Sequence, residues 1–450
     1  MPADPKTLLA DLTEFLRIPS QSGSPELRGE IRRAAEWVAQ RLRRAGIEHV
    51  EILETAGHPV VYGDWLHRPG APTALIYGHY DVQPPEPLEL WTSPPYEPQV
   101  RGGKLFARGA SDDKGGVAAA IAGIEACLKE SAPPINLRFC IEGEEEIGSP
   151  NFGSMLAREK RRLAADLVLS ADGVEWSERQ GFLLLGLRGG CSAEIRVSGP
   201  DRDLHSGLYG GAVLNPLEAL ARLLTSLRHA DGRIAIEGFY DDVATATPED
   251  RAEYARVPHD DAAYARDIGV PALHGEPGYS TVERCWIRPT VEINGMWGGH
   301  TGPGPKTIIP AQAHAKLTFR LVPNQDPARV YALLERHIAR HAPAAVKVEV
   351  KSGGFGALPY AIARDHPAVR AAAEVLREVY QVAPYEGRVG GSVPVLAAFE
   401  QVLGASAVDF GAATMDANFH SPNEFVYLSS LERAARCFEL MVRRGAGLLP

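Results

Sequence analysis

No apolar run in this sequence approaches the ~18–20 residues that a membrane-spanning helix needs. Low-complexity tracts and repeats with a period of about 20–50 residues are also missing. A bilayer-spanning helix, a tether and a solenoid are therefore not expected. Cysteine is scarce: Cys127, Cys140, Cys191, Cys285 and Cys437 are odd in number, scattered and without CxxC spacing. That pattern argues against a disulfide framework or a thiolate zinc site and favours a reducing cytosol. An excess of positive charge is lacking too. Lys and Arg number 47 against 57 Asp and Glu, a formal net charge of −10. The balance disfavours nucleic acid or an anionic membrane as the main partner. The opening Met1-Pro2-Ala3-Asp4-Pro5-Lys6 has no cationic stretch leading into an apolar one. A signal peptide is therefore not expected, and a cytoplasmic location is.

What is present suits a large α/β protein. A chain of 450 residues exceeds one ordinary domain and predicts two or three. Helical spacing over Leu8–Leu16 and Glu30–Ala45 is followed by short β-type runs at His49–Leu53, Val60–Trp65 and Thr73–Tyr77. An alanine-rich helix over Gly116–Lys129 then precedes strands at Ile135–Ile141 and Asp166–Leu169. This alternation predicts a mostly parallel sheet. From Gly186 the pattern changes to strands at Cys191–Val197, Thr290–Ile293, Ala313–Leu321 and Ala345–Lys351, with helices over Asn215–Leu227 and Pro327–Arg340. The order suggests a small α+β sandwich of βαββαβ, ferredoxin-like type, with His229–Tyr279 as an insertion rich in acidic, proline and glycine turns. After Pro359, a helix over Pro367–Tyr380, the glycine turn Val389-Gly390-Gly391-Ser392 and a last helix over Ser430–Arg444 return to α/β style. The expectation is a discontinuous domain, 1–187 and 361–450, interrupted by an inserted domain at 188–360.

Five acid- and histidine-rich segments punctuate this framework: Gly78-His79-Tyr80-Asp81, Ser111-Asp112-Asp113-Lys114-Gly115, Glu144-Glu145-Glu146-Ile147-Gly148, Ser170-Ala171-Asp172-Gly173 and Phe419-His420-Ser421-Pro422-Asn423-Glu424. Three follow directly on predicted buried strands, where α/β sheets gather their ligands. Singly, each has a bland reading: a turn, an acidic helix cap, solvated charge, a loop histidine. Jointly they offer two imidazoles and several carboxylates, a set suited to a pair of divalent metals about 3.5–4 Å apart that hydrolyse amides or esters. Adjacent glutamates can divide the labour, one ligating and its neighbour moving a proton.

The segments resemble those of the cocatalytic di-metal peptidase family of carnosinases, related dipeptidases, glutamate carboxypeptidases and aminoacylases, closest to its carnosinase-like dipeptidases. The likeness runs along essentially the whole chain and is weakest through His229–Tyr279. It implies a zinc-exopeptidase-like catalytic domain with a mostly parallel sheet and a smaller lid or dimerisation domain. It further implies that His79 and Asp172 bind one metal and Glu146 and His420 the other, with Asp112 as bridge. Zinc is the first expectation for both, and manganese or cobalt can share such nitrogen and oxygen ligands. Asp81 would orient His79. Glu145, placed by the Glu-Glu-x-Gly-Ser match, would act as general base and then general acid.

The likeness extends to Asp203-Leu204-His205-Ser206-Gly207-Leu208-Tyr209-Gly210-Gly211. In the family that histidine reaches across a homodimer and stabilises the oxyanion of the neighbouring site. Gly304-Pro305-Lys306-Thr307, Phe319-Arg320-Leu321-Val322-Pro323-Asn324 and Gly390-Gly391-Ser392 are also similar to family motifs. They nominate Thr307, Arg320 and Ser392 for gripping a substrate carboxylate, a task suited to arginine's two-pronged donor. One departure stands out. Carnosinase-like members carry a histidine in a Gly-His-Gly-Gly stretch where this chain reads Gly354-Phe355-Gly356-Ala357, so a β-alanyl-histidine preference does not follow.

The expected activity is metal-dependent hydrolysis of dipeptides or short peptides by a water activated between two metals. Aspartate at the Asp172 position leans toward peptidases in the family, whereas glutamate there leans toward carboxypeptidases and deacylases. N-acyl-amino-acid hydrolysis and a glutamate-carboxypeptidase-like activity are the enzyme alternatives. A non-catalytic binding relative is the remaining class, and tightly bound metal separates it from the others.

Overall fold

A computed structural model describes residues 3–445, apart from the Phe355 side chain. The outer limits 1 and 450 of the expected catalytic domain lie outside the described residues, as do Met1 and Pro2 of the opening segment. Two compact units emerge, one from Met1–Leu185, Ile362–Gly387 and Val393–Pro450, the other from Gly186–Ala361 and Arg388–Ser392.

The first unit is built on a six-stranded sheet ordered Glu48–Leu53, Val60–Trp65, Asn136–Glu142, Thr73–His79, Leu167–Ser170, Ser406–Asp409. The last four strands are mutually parallel, and the first two add an antiparallel edge. The fold is thus the mostly parallel α/β arrangement that the alternation predicts. Thr73–His79 and Leu167–Ser170 are apolar and buried on both faces, as parallel strands covered on each side must be.

Lys114–Glu130 and Leu428–Arg444 pack helix against helix. Alanines and Gly123 let them approach closely: a Cβ at Gly123 would overlap the backbone oxygen of Ala435. The first of these helices starts two residues earlier than its apolar periodicity suggests, because Lys114 and Gly115 join it. Asp113 precedes it without giving a side-chain cap, so the acidic-cap reading of this pair fails at Asp113.

In the second unit, strands Gly189–Ser198, Thr290–Gly298, Gln312–Leu321 and Lys347–Ala357 form an antiparallel sheet. Helices Pro216–Ser226 and Pro327–His341 complete a βαββαβ order. Along Gly189–Ser198 the alternation buries Cys191, Ala193, Ile195 and Val197 in one apolar cluster with Leu220, Leu223 and Leu334 of the helices. Asn215 caps its helix through a side-chain bond to the Leu217 N–H, with Pro216 in the first turn. Two strands outrun their expected limits by five residues or more. Thr290–Gly298 continues through an irregularity between Ile293 and Gly295, and Lys347–Ala357 through three glycines. The insertion also holds more order than its turn residues suggest. Helix Pro248–Arg256 starts at a Thr247/Asp250 capping box, and Asp261–Asp267 is capped by Asp260.

Candidate metal centre

Parallel strands end on one edge of the sheet, and that edge collects the polar residues. His79 is the final residue of Thr73–His79. Asn136–Glu142, its neighbour, delivers the turn Glu145–Ile147. Leu167–Ser170, on the other side, delivers Asp172 two residues later. His420 comes from the loop Asn418–Asn423, in which Asn418, His420 and Asn423 all have positive φ. Such conformations cost about 1–3 kcal/mol each and persist only where surrounding bonds over-determine them.

Two groups that could each hold a metal ion result. His79, Asp112 and Asp172 each bring one donor atom within 4.8 Å of the others, and so do Asp112, Glu146 and His420. Asp112 belongs to both. Its Oδ1 lies 3.0 Å from His79 Nε2, and its Oδ2 lies 2.9 Å from His420 Nε2. His420 Nε2 is also 3.1 Å from Glu146, and His79 Nε2 is 4.0 Å from Asp172. Donor atoms around a tetrahedral zinc sit about 3.3 Å apart by the usual bond lengths, so both spacings suit a cation. The first pocket is deep, with His79 wholly buried, whereas the His420 side chain is 52% exposed.

Around these ligands the chain fixes orientation. His79 Nδ1 lies 3.1 Å from the Asp81 carbonyl oxygen and 3.3 Å from its carboxylate. With Nδ1–H donated there, Nε2 is left with a lone pair toward the pocket. The Asp81 carboxylate also accepts from the Glu145 and Glu146 N–H groups, at 3.2 and 3.1 Å. It therefore holds the glutamate turn as well as the histidine. Within the triple glutamate, Glu144 is engaged elsewhere: it accepts from the His58 N–H and the Asn151 amide. Asp113 Oδ2 accepts from the His79 N–H, and a Cβ at Gly78 or Gly116 would run into its carboxylate.

The electrostatics describe a site short of positive charge. Burial pushes Asp172 well above the ordinary carboxylate range. It raises Glu145 to about 8, with His79 pulling it down and Glu146 and Asp112 adding to the rise. Asp112 moves the other way. Burial works to raise it, yet the hydrogen bonds with His420 and His79 hold it below the usual range. His79 is raised although burial opposes its charge, because Asp112, Asp81 and Asp172 outweigh that cost. Bonds to Asp112 and Glu146 lift His420 to about 10. Both imidazoles are thus drawn toward the cationic form, supplying charge that bound cations would supply instead. The donor set fits divalent metal.

The nominated residues of the second unit fall into two pairs. His205 and Thr307 are neighbours: the strand pair Leu204–His205 and Ile308–Ile309 is extended by the Ser206 N–H donating to the Thr307 carbonyl. His205 is exposed, and its Nδ1 accepts from the Gly207 N–H at 3.0 Å. That bond selects the tautomer with a donor at Nε2. Arg320 donates to Ser392 Oγ at 3.0 Å, and Ser392 donates in turn to the Arg188 carbonyl. The serine hydroxyl is therefore spent on the protein. Residue-type reasoning gave Arg188 and Arg108 no role. It also left Glu424 unassigned, although Glu424 ends the His420 segment.

A pair of cation pockets sharing one carboxylate, at the strand ends of a parallel sheet, is the device of metal-dependent hydrolases. This chain is such a metallopeptidase: residues 75–444 match peptidase family M20/M25/M40, and the chain belongs to that family. It is 30% identical to the Cys-Gly metallodipeptidase dug1 of Schizosaccharomyces pombe, across 98% of this chain and 95% of that protein. It is 29% identical to the Beta-Ala-His dipeptidase of Rattus norvegicus, across 92% of this chain and 87% of that one. The crystal structure of the M20 family metallo-carboxypeptidase Sso-CP2 from Sulfolobus solfataricus matches with a TM-score of 0.85 at 32% identity, covering 97% of this chain and 98% of that one.

Proposed function

We propose that the chain is a dipeptidase that uses two divalent metals, zinc by first expectation, and acts as a cytoplasmic homodimer. The observation that carries this reading is the sharing of Asp112 between two candidate ligand groups beside the half-buried Glu145. His79 and Asp172 would hold one cation and Glu146 and His420 the other, with Asp112 contributing to both groups. The chemistry that bound cations would supply there is polarisation of the scissile carbonyl and a water whose pKa falls to about 7. Glu145 takes the proton from the attacking water and passes it to the leaving amine, and with the second proton of the water also on the nitrogen the products are carboxylate and ammonium. Asp81 keeps His79 and the glutamate turn aligned. The partner subunit's His205 donates from Nε2 to the oxyanion, a contribution of a few kcal/mol. Arg320 and Thr307 grip the substrate's carboxylate, with Ser392 bracing the arginine.

The similarity to two dipeptidases along nearly their whole lengths supports the dipeptide substrate. The free cysteines, four buried and Cys285 exposed, suit a reducing compartment. Among the described residues no helix is long and apolar enough to cross a membrane. The solved metallo-carboxypeptidase favours a second reading, release of the carboxyl-terminal residue from longer peptides. Metal-reconstituted protein assayed on dipeptides, tripeptides, N-acetyl and N-carbamoyl amino acids separates the possibilities. Dipeptide turnover that chelator abolishes is the expected result. Turnover of acyl compounds alone would overturn it.

A further inference from the structure

Glu424 is fully buried and sits four residues after His420. Its carboxylate is held by one distant stretch of chain, residues 108–112. Oε2 accepts from the Arg108 guanidinium at 2.7 Å and from the Gly109 N–H at 2.9 Å. Oε1 accepts from the Ser111 N–H at 2.9 Å, the Ser111 hydroxyl at 3.1 Å and the Asp112 N–H at 3.1 Å. Only one of these donors is the arginine. The rest belong to the turn that presents the shared ligand, down to Asp112's own backbone. The bond between the Ala107 N–H and the Glu424 carbonyl ties the same two segments once more.

The His420 loop needs such a tie. It is closed at its neck by Phe425 N–H to Ala417 carbonyl, and within by Ser421 N–H to Asn418 carbonyl. Asn423 anchors its far side, donating to the Leu90 carbonyl and accepting from the Thr92 N–H. No strand carries His420 itself, whose backbone is left-handed. His79, by contrast, is the last residue of a central strand.

We propose that Glu424 is a positioning residue whose clasp on residues 108–112 sets the separation of His420 from Asp112, and so tunes the exposed one of the two metal pockets. The proposal rests on the two-metal reading above. An ionised carboxylate accepts along both oxygens, and glutamine cannot: its amide nitrogen would face either the Arg108 and Gly109 donors or the Ser111 and Asp112 donors. Glu424→Gln therefore breaks one side of the clasp with little change of shape.

The test is calorimetric titration of metal-free protein with Zn2+, for wild type, Glu424→Gln, His420→Ala and His79→Ala. Melting of the metal-free forms serves as the folding control. Wild type should bind two ions in resolved steps. Glu424→Gln should weaken by about 10- to 100-fold, the range for lost partners of metal ligands, the same step that His420→Ala abolishes. The step lost in His79→Ala should stay at its wild-type affinity. Should Glu424→Gln fail to fold, Glu424→Asp replaces it, keeping the charge beside Arg108 while retracting the carboxylate. Unchanged binding in both steps would overturn the clasp alone. Equal weakening of both steps would overturn it in favour of a merely structural role. A wild-type protein that binds only one ion would overturn the two-metal reading, and the clasp with it.

Discussion

At the scale of single residues, neighbouring carboxylates are given different work by what their own side chains touch. Glu144 is tied to His58 and Asn151, Glu146 faces His420, and half-buried Glu145 feels the charges of His79, Glu146 and Asp112. A carboxylate raised to about 8 in the absence of cations becomes an ordinary base once cations arrive, because added positive charge favours its ionised form. Glu145→Gln keeps the size of the side chain and removes the proton acceptor. The expected outcome is retention of both metals, measured by metal analysis, with turnover reduced about 10²- to 10⁴-fold. Near-normal turnover would move the base to another residue. The candidate ligands were nominated as residue types after predicted strands, since His79, Glu146 and Asp172 need only the strand that ends before them. Glu424 was not legible in that way. Its partners lie 312 to 316 positions away in sequence, and no local pattern signals a carboxylate that serves another segment's turn.

At the scale of elements, the site depends on how closely a helix can sit behind it. Lys114–Glu130 starts directly after Asp112 and Asp113, and Lys114, fully buried, donates to the carbonyls of Phe15 and Ile18. Its packing against Leu428–Arg444 passes through Gly123. Alanine would gain about 1 kcal/mol in helix propensity there. The added methyl would strike Ala435 backbone, which cannot rotate away as a side chain can. Overpacking of this sort costs about 1–3 kcal/mol and occasionally more, so the clash outweighs the propensity. Gly123→Ala should therefore lower the melting temperature in calorimetry, and a rise would show that the helices separate freely. Periodicity identified both helices but not this constraint, because glycine inside a helical pattern reads as weakness until the neighbouring helix is known. The same limit hid the two helices of the 248–267 region. Their capping residues are also turn residues, and the local pattern does not say which use prevails.

At the scale of the whole molecule, the chain's two units carry different parts of the proposed chemistry, and the question is whose His205 serves which metal pair. A symmetric dimer makes the answer measurable. If the histidine acts across subunits, a hybrid of one Glu145→Gln chain and one His205→Ala chain contains one wholly intact site, composed of the second chain's metals and Glu145 with the first chain's His205. If the histidine acts within its own chain, both sites of the hybrid are damaged. Each homodimer alone is impaired either way. Equal amounts of the two variants, unfolded and refolded together, should yield hybrids as about half of all dimers. Because each hybrid restores one site of two, activity should recover to about a quarter of wild type, measured as dipeptide turnover against unmixed controls. Recovery no greater than the mean of the controls, in a mixture shown by native mass spectrometry to contain hybrids, would place His205 in its own chain's site. A monomer in the same measurement would remove the cross-subunit role altogether.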